Sequence, residues 1–315
     1  MAAIATVIDT DPGVDDSIAL LAAMASPEID LRAITVTHGN VELAPALENA
    51  RRICALAGRD DIPVHGGAAR PLLRTPYRGK FHGRSGVGPL ELPPPRIEAS
   101  PEHAVTALAR MLRAAARGAG PRLTICTIGP LTNLALALAQ DPELAAGVER
   151  VAMMGGAFLA GGNRTPSAEF NILADPHAAR IVFTSGVKIE MAPLDVTHQA
   201  MATPARVAEL ARIPGRVAAA VAELLAFFDR KDPARYGSAG APLHDPTIIG
   251  WLARPELFRT RRAPVEICID EGPAFGQTIA DWWGVTGQAE NAEILTGLDV
   301  DGFFGWLGGT LARHA

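Results

Sequence analysis

The sequence predicts an α/β protein: an open, mostly parallel central sheet with helices on both faces, in a single domain. Three observations carry that expectation. Short apolar runs bounded by Gly, Pro or Asp alternate with amphipathic stretches of helical length, as βα units require. Each run ends in a polar or glycine-rich turn, which is how a parallel strand leaves its sheet. The alternation also continues across two irregular segments rich in Gly, Pro and Arg, residues 70–95 and 230–242, so these read as mobile surface loops and not as linkers between domains.

Taken in order, residues 5–8 read as a first strand, 15–24 as a helix, 31–37 as a strand, 45–57 as a helix and 62–65 as a strand. Residues 101–117 are expected to be helical, with Ser100 as N-cap and Pro101 and Glu102 suited to the first turn. A buried strand at 123–128 follows, and 131–140, 148–154, 176–184 and 187–191 continue as helix, strand, helix, strand. Between the last two pairs, 155–171 is long and polar, a loop length that invites a functional role. The stretch 203–231 is mostly helical in pattern, and beyond Pro255 several short β-like runs precede a closing helix from about Val300.

Composition narrows the classes of function. The 315 residues are 48% hydrophobic and 20% charged, enough to bury a sizeable core, and the net charge of −5 is scattered along the chain. That balance argues against nucleic acid or an anionic membrane as partner and fits a small ligand. Cys54, Cys126 and Cys268 lie far apart with no metal-ligand spacing, and so read as core thiols in a reducing compartment. The N-terminus meets Asp9 after a short apolar run and has no basic region ahead of it, so a strand is expected there, and a cytoplasmic location. Trp251, Trp282, Trp283 and Trp306 fall in or beside apolar segments and are expected to pack in the core.

The strongest local signal is Asp9-Thr10-Asp11-Pro12-Gly13-Val14-Asp15-Asp16, four carboxylates within eight residues at the carboxyl end of the first strand. In an open α/β sheet that end is where ligands bind. Four anions crowded together repel one another and resist desolvation unless a cation compensates them. Carboxylate oxygens without thiol or imidazole companions favour calcium or magnesium, and irregular geometry with many oxygens favours calcium. Helix capping would account for Asp15 or Asp16 alone, because acids suit a first turn, but it leaves Asp9 and Asp11 unexplained.

This motif after an N-terminal strand resembles the signature of the nucleoside hydrolase family, the inosine-uridine preferring N-ribohydrolases with a Rossmann-like fold. Further segments resemble it in the same order. They are Asn40, then Ile128-Gly129-Pro130-Leu131-Thr132-Asn133, Met154-Gly155-Gly156, Asn163, Glu169-Phe170-Asn171, Ala174-Asp175-Pro176, and Leu243-His244-Asp245-Pro246. The resemblance implies Ca2+ held by Asp11, Asp16, Asp245 and the backbone carbonyl of Ile128. Asp11 would be the general base toward a calcium-bound water that attacks the anomeric carbon with inversion, through an oxocarbenium-like state.

Asp15, Asn40 and Asn171 would meet the 2′ and 3′ hydroxyls, and Asn163 and Glu169 the 5′ hydroxyl. Such groups suit a sugar that both donates and accepts hydrogen bonds. Read without the family, Asn163 and Glu169-Phe170-Asn171 equally describe turn residues or the approach to a helix. His244 would protonate the leaving base. His82, in the glycine-rich segment 81–88, is a second acid candidate. Phe170 and Tyr236 are placed to meet the base. The resemblance implies a small-molecule ribonucleoside as partner and a homodimer or homotetramer. Two alternatives stay open at this point: a haloacid-dehalogenase-like phosphatase, from the Asp9-x-Asp11 pair, and a non-catalytic ribonucleoside-binding protein.

Overall fold

The fold is that of a computed structural model, in which residues 2–77, 85–227 and 240–314 are described. The opening strand β1 (Ile4–Thr10) is buried from its second residue onward, since helices cover both faces of its sheet. Helix α1 (Val14–Ala25) follows at once, then β2 (Ile29–Val36), α2 (Leu43–Ala57) and β3 (Val64–Gly66). The second half of the alternation is α3 (Ala104–Ala116), β4 (Leu123–Thr127), α4 (Thr132–Gln140), β5 (Val148–Met154), α5 (Phe170–Ala174), α6 (Pro176–Thr184) and β6 (Ile189–Ala192). A short helix α7 (Leu194–Thr197) and a two-residue strand β7 (Met201–Ala202) lead into α8 (Pro204–Leu210) and α9 (Arg216–Phe227). Strand β8 (Ala241–Pro242) pairs with β7 and feeds the helix Asp245–Ala253. Strands β9 (Phe258–Ala263), β10 (Val265–Ile267), β11 (Thr278–Ala280) and β12 (Ala292–Leu298) precede the closing helix Val300–Leu311.

The main sheet has eight strands in the order β3-β2-β1-β4-β5-β6-β12-β9. All pairings are parallel except β12 with β9, so the edge strand alone runs the other way. From β1 the chain first builds outward to β2 and β3, then crosses back to β4 on the other side. The carboxyl ends of β1 and β4 therefore flank the switch point, where a crevice opens between two diverging connections. Edge strand β9 carries Arg259, Arg261 and Arg262 on exposed positions, charges that discourage pairing with another chain.

Successive strand residues serve opposite apolar layers, as a pleat requires. Ile8, Ile34 and Cys126 join Ile18, Leu21, Ile53, Val221, Ile249 and Phe303 on the face covered by α1, α2, α9, the helix Asp245–Ala253 and the closing helix. Their neighbours Val7, Ala33 and Ile125 join Leu108, Leu112, Leu134 and Val182 on the face covered by α3, α4 and α6. Truncating a fully buried member such as Ile8 or Ile125 to Ala costs about 2–5 kcal/mol.

The structure departs from the sequence expectation in detail. Helix α3 starts at Ala104 with His103 as its cap, not at Pro101, because Ser100 is drawn into a bridge with His65 and donates its N–H to Val64. Trp283 is 86% exposed and packs in no core, although Trp251, Trp282 and Trp306 are partly buried. Cys54 and Cys126 are buried and Cys268 is half-buried, all as free thiols. Among the described residues, no helix is long and apolar enough to cross a membrane.

Candidate active site

At the carboxyl end of β1 the backbone delivers three acids in different directions. Asp9 is fully buried; one of its oxygens accepts from Thr35 Oγ1 (2.6 Å) and Asn133 Nδ2 (2.8 Å). Burial pushes its pKa up to about 7 against the lowering effect of those two donors. Asn133 also donates to the Val36 carbonyl and accepts from the Ala68 N–H, so this amide stitches β1, β2 and the segment after β3 to the first turn of α4. Asp9 thus acts from beneath the site as a brace.

Asp11 follows the last residue of β1. Its Oδ2 accepts from the Asn40 N–H at 2.6 Å, and its Oδ1 is buried without a hydrogen-bond partner among the described residues. Burial first, and then the charge of Asp16, hold this carboxyl well above the usual carboxylate range. Asp16, in the first turn of α1, accepts from Thr10 Oγ1 (2.7 Å), the Gly13 N–H (2.9 Å) and Asn40 Nδ2 (3.1 Å). Its pKa rises to about 6 through burial and the neighbouring Asp15. Asn40 therefore clasps both acids, donating its backbone N–H and its amide to the pair.

Asp245 comes from 229 residues beyond Asp16, on the first turn of the helix Asp245–Ala253, which packs against α1. The positive ends of two helices thus converge on one spot, each carrying buried acids. Asp15, Asp16 and Asp245 each offer an oxygen within 4.8 Å of one another. Asp11 is not one of this mutually closest trio; it adjoins Asp16 through Asn40 and its own N–H, 3.3 Å from Asp16 Oδ1. The charges that bear on Asp11 and Asp16 are other carboxylates. A buried set of hard oxygen donors, with an orphaned carboxylate oxygen beside it, fits a divalent hard cation.

The opposite wall comes from β4, β5 and the loop 155–169. The Ile128 carbonyl, just past β4, accepts from Asn171 Nδ2 at 3.0 Å, and the same amide donates to the Met154 carbonyl at 3.1 Å. Asn171 thereby ties the ends of β4 and β5 together, leaving its own oxygen for other work. Glu169 caps α5, with both oxygens accepting backbone N–H groups of Asn171, Gly156 and Ile172. Burial outweighs these donors and pushes its pKa up to about 7. Asn163 lies in the same loop, and its Oδ1 is buried without a hydrogen-bond partner among the described residues.

Phe170 is buried beside Tyr77, with ring centroids 6.3 Å apart, and the Arg164 guanidinium stands 4.9 Å from its ring. His244, immediately before Asp245, is buried, with Nδ1 2.8 Å from Thr197 Oγ1 and its ring 5.8 Å from that of His198. His82 and Tyr236 lie outside the described residues.

Sequence reasoning passed over Thr35, Thr197 and Asp195, which hold neighbouring groups still, and placed Asn133 in a matching segment without giving it a role. Thr35 is the register partner of Asp9 on the neighbouring strand.

Buried acids gathered at the switch point of a doubly covered α/β sheet, with a histidine beside them, describe a hydrolytic enzyme for a small polar ligand. Comparison with known proteins gives the family. Residues 6–305 match the family described as inosine-uridine preferring nucleoside hydrolase. The chain is 44% identical over 312 residues to the pyrimidine-specific ribonucleoside hydrolase RihA of Shewanella sp. (strain MR-4), covering 98% of this chain and 96% of that one. It is 42% identical over 315 residues to the protein of the same name in Salmonella gallinarum, covering 99% and 100%. Among solved structures, the purine-preferring ribonucleoside hydrolase from Gardnerella vaginalis superposes with a TM-score of 0.89 at 29% identity, over 98% of each chain. The plant nucleoside hydrolase PpNRh1 gives a TM-score of 0.88 at 30% identity, over 98% of this chain and 99% of that one. The chain belongs to the inosine-uridine preferring nucleoside hydrolase family, and as such is a hydrolase acting on N-glycosyl bonds.

Proposed function

We propose that the protein hydrolyses the N-glycosidic bond of free ribonucleosides to base and ribose, with inversion at the anomeric carbon and with pyrimidine ribonucleosides preferred. The observation that carries this reading is the convergence of Asp15, Asp16 and Asp245, from two helices far apart in sequence, beside the buried Asp11. The pyrimidine preference rests on the relatives that are 42–44% identical over nearly the whole chain and carry that specificity in their names.

Asp11, Asp16, Asp245 and the Ile128 carbonyl would hold calcium, which would supply Lewis acidity toward a water molecule. Asp11, with one oxygen pinned by Asn40, accepts the proton of the attacking water. Asp15, Asn40 and Asn171 hold the 2′ and 3′ hydroxyls, while Asn163 and Glu169 hold the 5′ hydroxyl. These groups pair with the sugar hydroxyls, so a missing hydroxyl leaves buried polar groups unpaired and the deoxynucleoside is rejected. His244, its ring fixed by Thr197, protonates the departing base, with His82 as the second candidate for that step. Phe170 and Tyr236 meet the base. The enzyme acts as a homodimer or homotetramer on a free nucleoside.

Lys188, one candidate for the lysine that a phosphatase of the Asp-x-Asp type needs, is instead 46% exposed and paired with Glu190. Ribose release from uridine, cytidine, inosine and adenosine, run beside phosphate release from a phosphomonoester, tests the reading. Release of ribose, fastest from the pyrimidines, is the expected result; phosphate release without ribose would overturn it.

A further inference from the structure

Loop 155–169 carries Asn163 and Glu169 to the site, and its two ends are held differently. The exit is fixed by the Glu169 cap on α5. The entry begins on β5 and is tied down by Asp195, in the short helix α7, whose carboxylate accepts three consecutive backbone N–H groups. Asp195 Oδ2 accepts from Phe158 at 2.8 Å, and Oδ1 accepts from Leu159 at 2.7 Å and Ala160 at 3.0 Å. Beyond Ala160 the chain closes on itself: the Gly162 N–H reaches the Pro166 carbonyl at 3.0 Å and the Arg164 N–H reaches the Ala168 carbonyl at 3.2 Å. Ser167 Oγ adds a bond to the Pro273 carbonyl at 2.6 Å. Asn163 therefore rides on a small closed turn whose entry is held at Ala157 by Thr278, which accepts its N–H and donates to its carbonyl, and over the next three residues by the Asp195 carboxylate.

Helix α7 is a firm post for this task. The Leu194 N–H bonds to the Gly156 carbonyl, and Gln199, just past its end, donates to the Thr296 carbonyl and accepts from the Leu298 N–H on β12. The same helix supplies Thr197 to His244. Charge-assisted bonds to three adjacent amides are stronger than neutral ones and fix both the direction and the register of the segment they hold.

We infer that Asp195 is a positioning residue for the substrate's 5′ end, setting the entry of loop 155–169 so that Asn163 meets the 5′ hydroxyl. It acts through the backbone of Phe158–Ala160. The inference rests on the proposed assignment of Asn163 and Glu169 to the 5′ hydroxyl.

The test compares a ribonucleoside with its 5′-deoxy analogue as substrates of wild type, Asp195→Asn and Asp195→Ala, each loaded with calcium and checked for folding by circular dichroism and thermal melting. Misplacement of a contact group by an ångström costs roughly ten- to a hundredfold. Wild type is expected to favour the 5′-hydroxyl substrate in kcat/KM. Asp195→Ala is expected to lose roughly tenfold or more on that substrate and little on the 5′-deoxy one, so the preference collapses, with Asp195→Asn between them because one carboxamide oxygen remains to accept. Equal losses on both substrates, in variants that fold, would overturn the assignment, since a generally loosened enzyme falls on both. Wild type indifferent to the 5′ hydroxyl would remove both the 5′ reading of Asn163 and this role for Asp195. Hydrogen exchange gives a readout that needs no turnover: faster exchange in the peptide spanning 158–160 on Asp195→Asn is expected, and unchanged exchange in both variants would show that the carboxylate does not hold the loop.

Discussion

At the scale of single side chains, Asp11 bears the most. Its carboxylate is buried, pinned on one oxygen by the Asn40 N–H and open on the other. Asp11→Asn keeps the shape and removes the proton acceptor, so turnover is expected to fall by about 10²–10⁴-fold while nucleoside binding stays measurable by calorimetry. Near-normal turnover would take the base role from Asp11. Gly129 belongs to the same argument, because a Cβ there would stand 2.6 Å from Asp11 Oδ1 and 3.1 Å from its backbone N. Gly129→Ala is expected to displace the carboxylate and cut kcat severely with the fold intact, and an unimpaired variant would show that Asp11 has room to move. His244→Ala is expected to slow cleavage wherever the leaving base needs a proton; undiminished rates on purine and pyrimidine ribonucleosides alike would pass that role to His82. The acids were legible in the sequence because four carboxylates in eight residues are more than helix capping by Asp15 or Asp16 explains. Their supports were not: Asp9 is held by Thr35 and Asn133, partners 26 and 124 residues away.

At the scale of elements, the short helix α5 shows how a site residue can also be structural. Glu169 caps it with both oxygens, and burial raises its pKa from 4.5 to about 7. The folded value lies above the unfolded one, so the folded protein holds this proton more tightly. That contribution to stability is fully present below pH 4.5 and is lost as pH rises through about 7. The shift corresponds to about 3 kcal/mol as an upper scale. In urea unfolding of wild type and Glu169→Gln, the wild type is expected to lose ground against the variant between about pH 5 and pH 8; a constant difference would contradict the assignment. Element types were legible because parallel strands buried on both faces read as short apolar runs, while helices keep their 3.6-residue period. The start of α3 was not. Ser100 satisfies the local rules for an N-cap, yet its backbone is claimed by β3, a pairing made across 35 residues that no local pattern announces.

At the scale of the whole molecule, topology makes the site: the strand order turns back at β1 and β4, and the helix Asp245–Ala253 lies against α1 so that two positive helix ends and their acids meet. That the alternation would build such a sheet was legible, and so was the end of the sheet at which the acids gather. The meeting of Asp245 with Asp16 followed from family resemblance alone, since nothing between residues 16 and 245 encodes the distance between them, and the place of Asp15 in the same trio was not foreseen. A cluster that binds a divalent ion when folded and not when unfolded must be stabilised by it, by about 2.7 kcal/mol at a hundredfold excess over Kd. Calcium is therefore expected to raise the melting temperature of the chelator-treated protein, and an unchanged melting curve would contradict a site built for it. The most direct test of the account is ribose release from uridine by protein stripped with a chelator and then given calcium back. Release that disappears on stripping and returns with calcium is the result expected. Release that continues undiminished in the stripped protein would contradict the claim that the acids at the end of β1 work around a divalent ion.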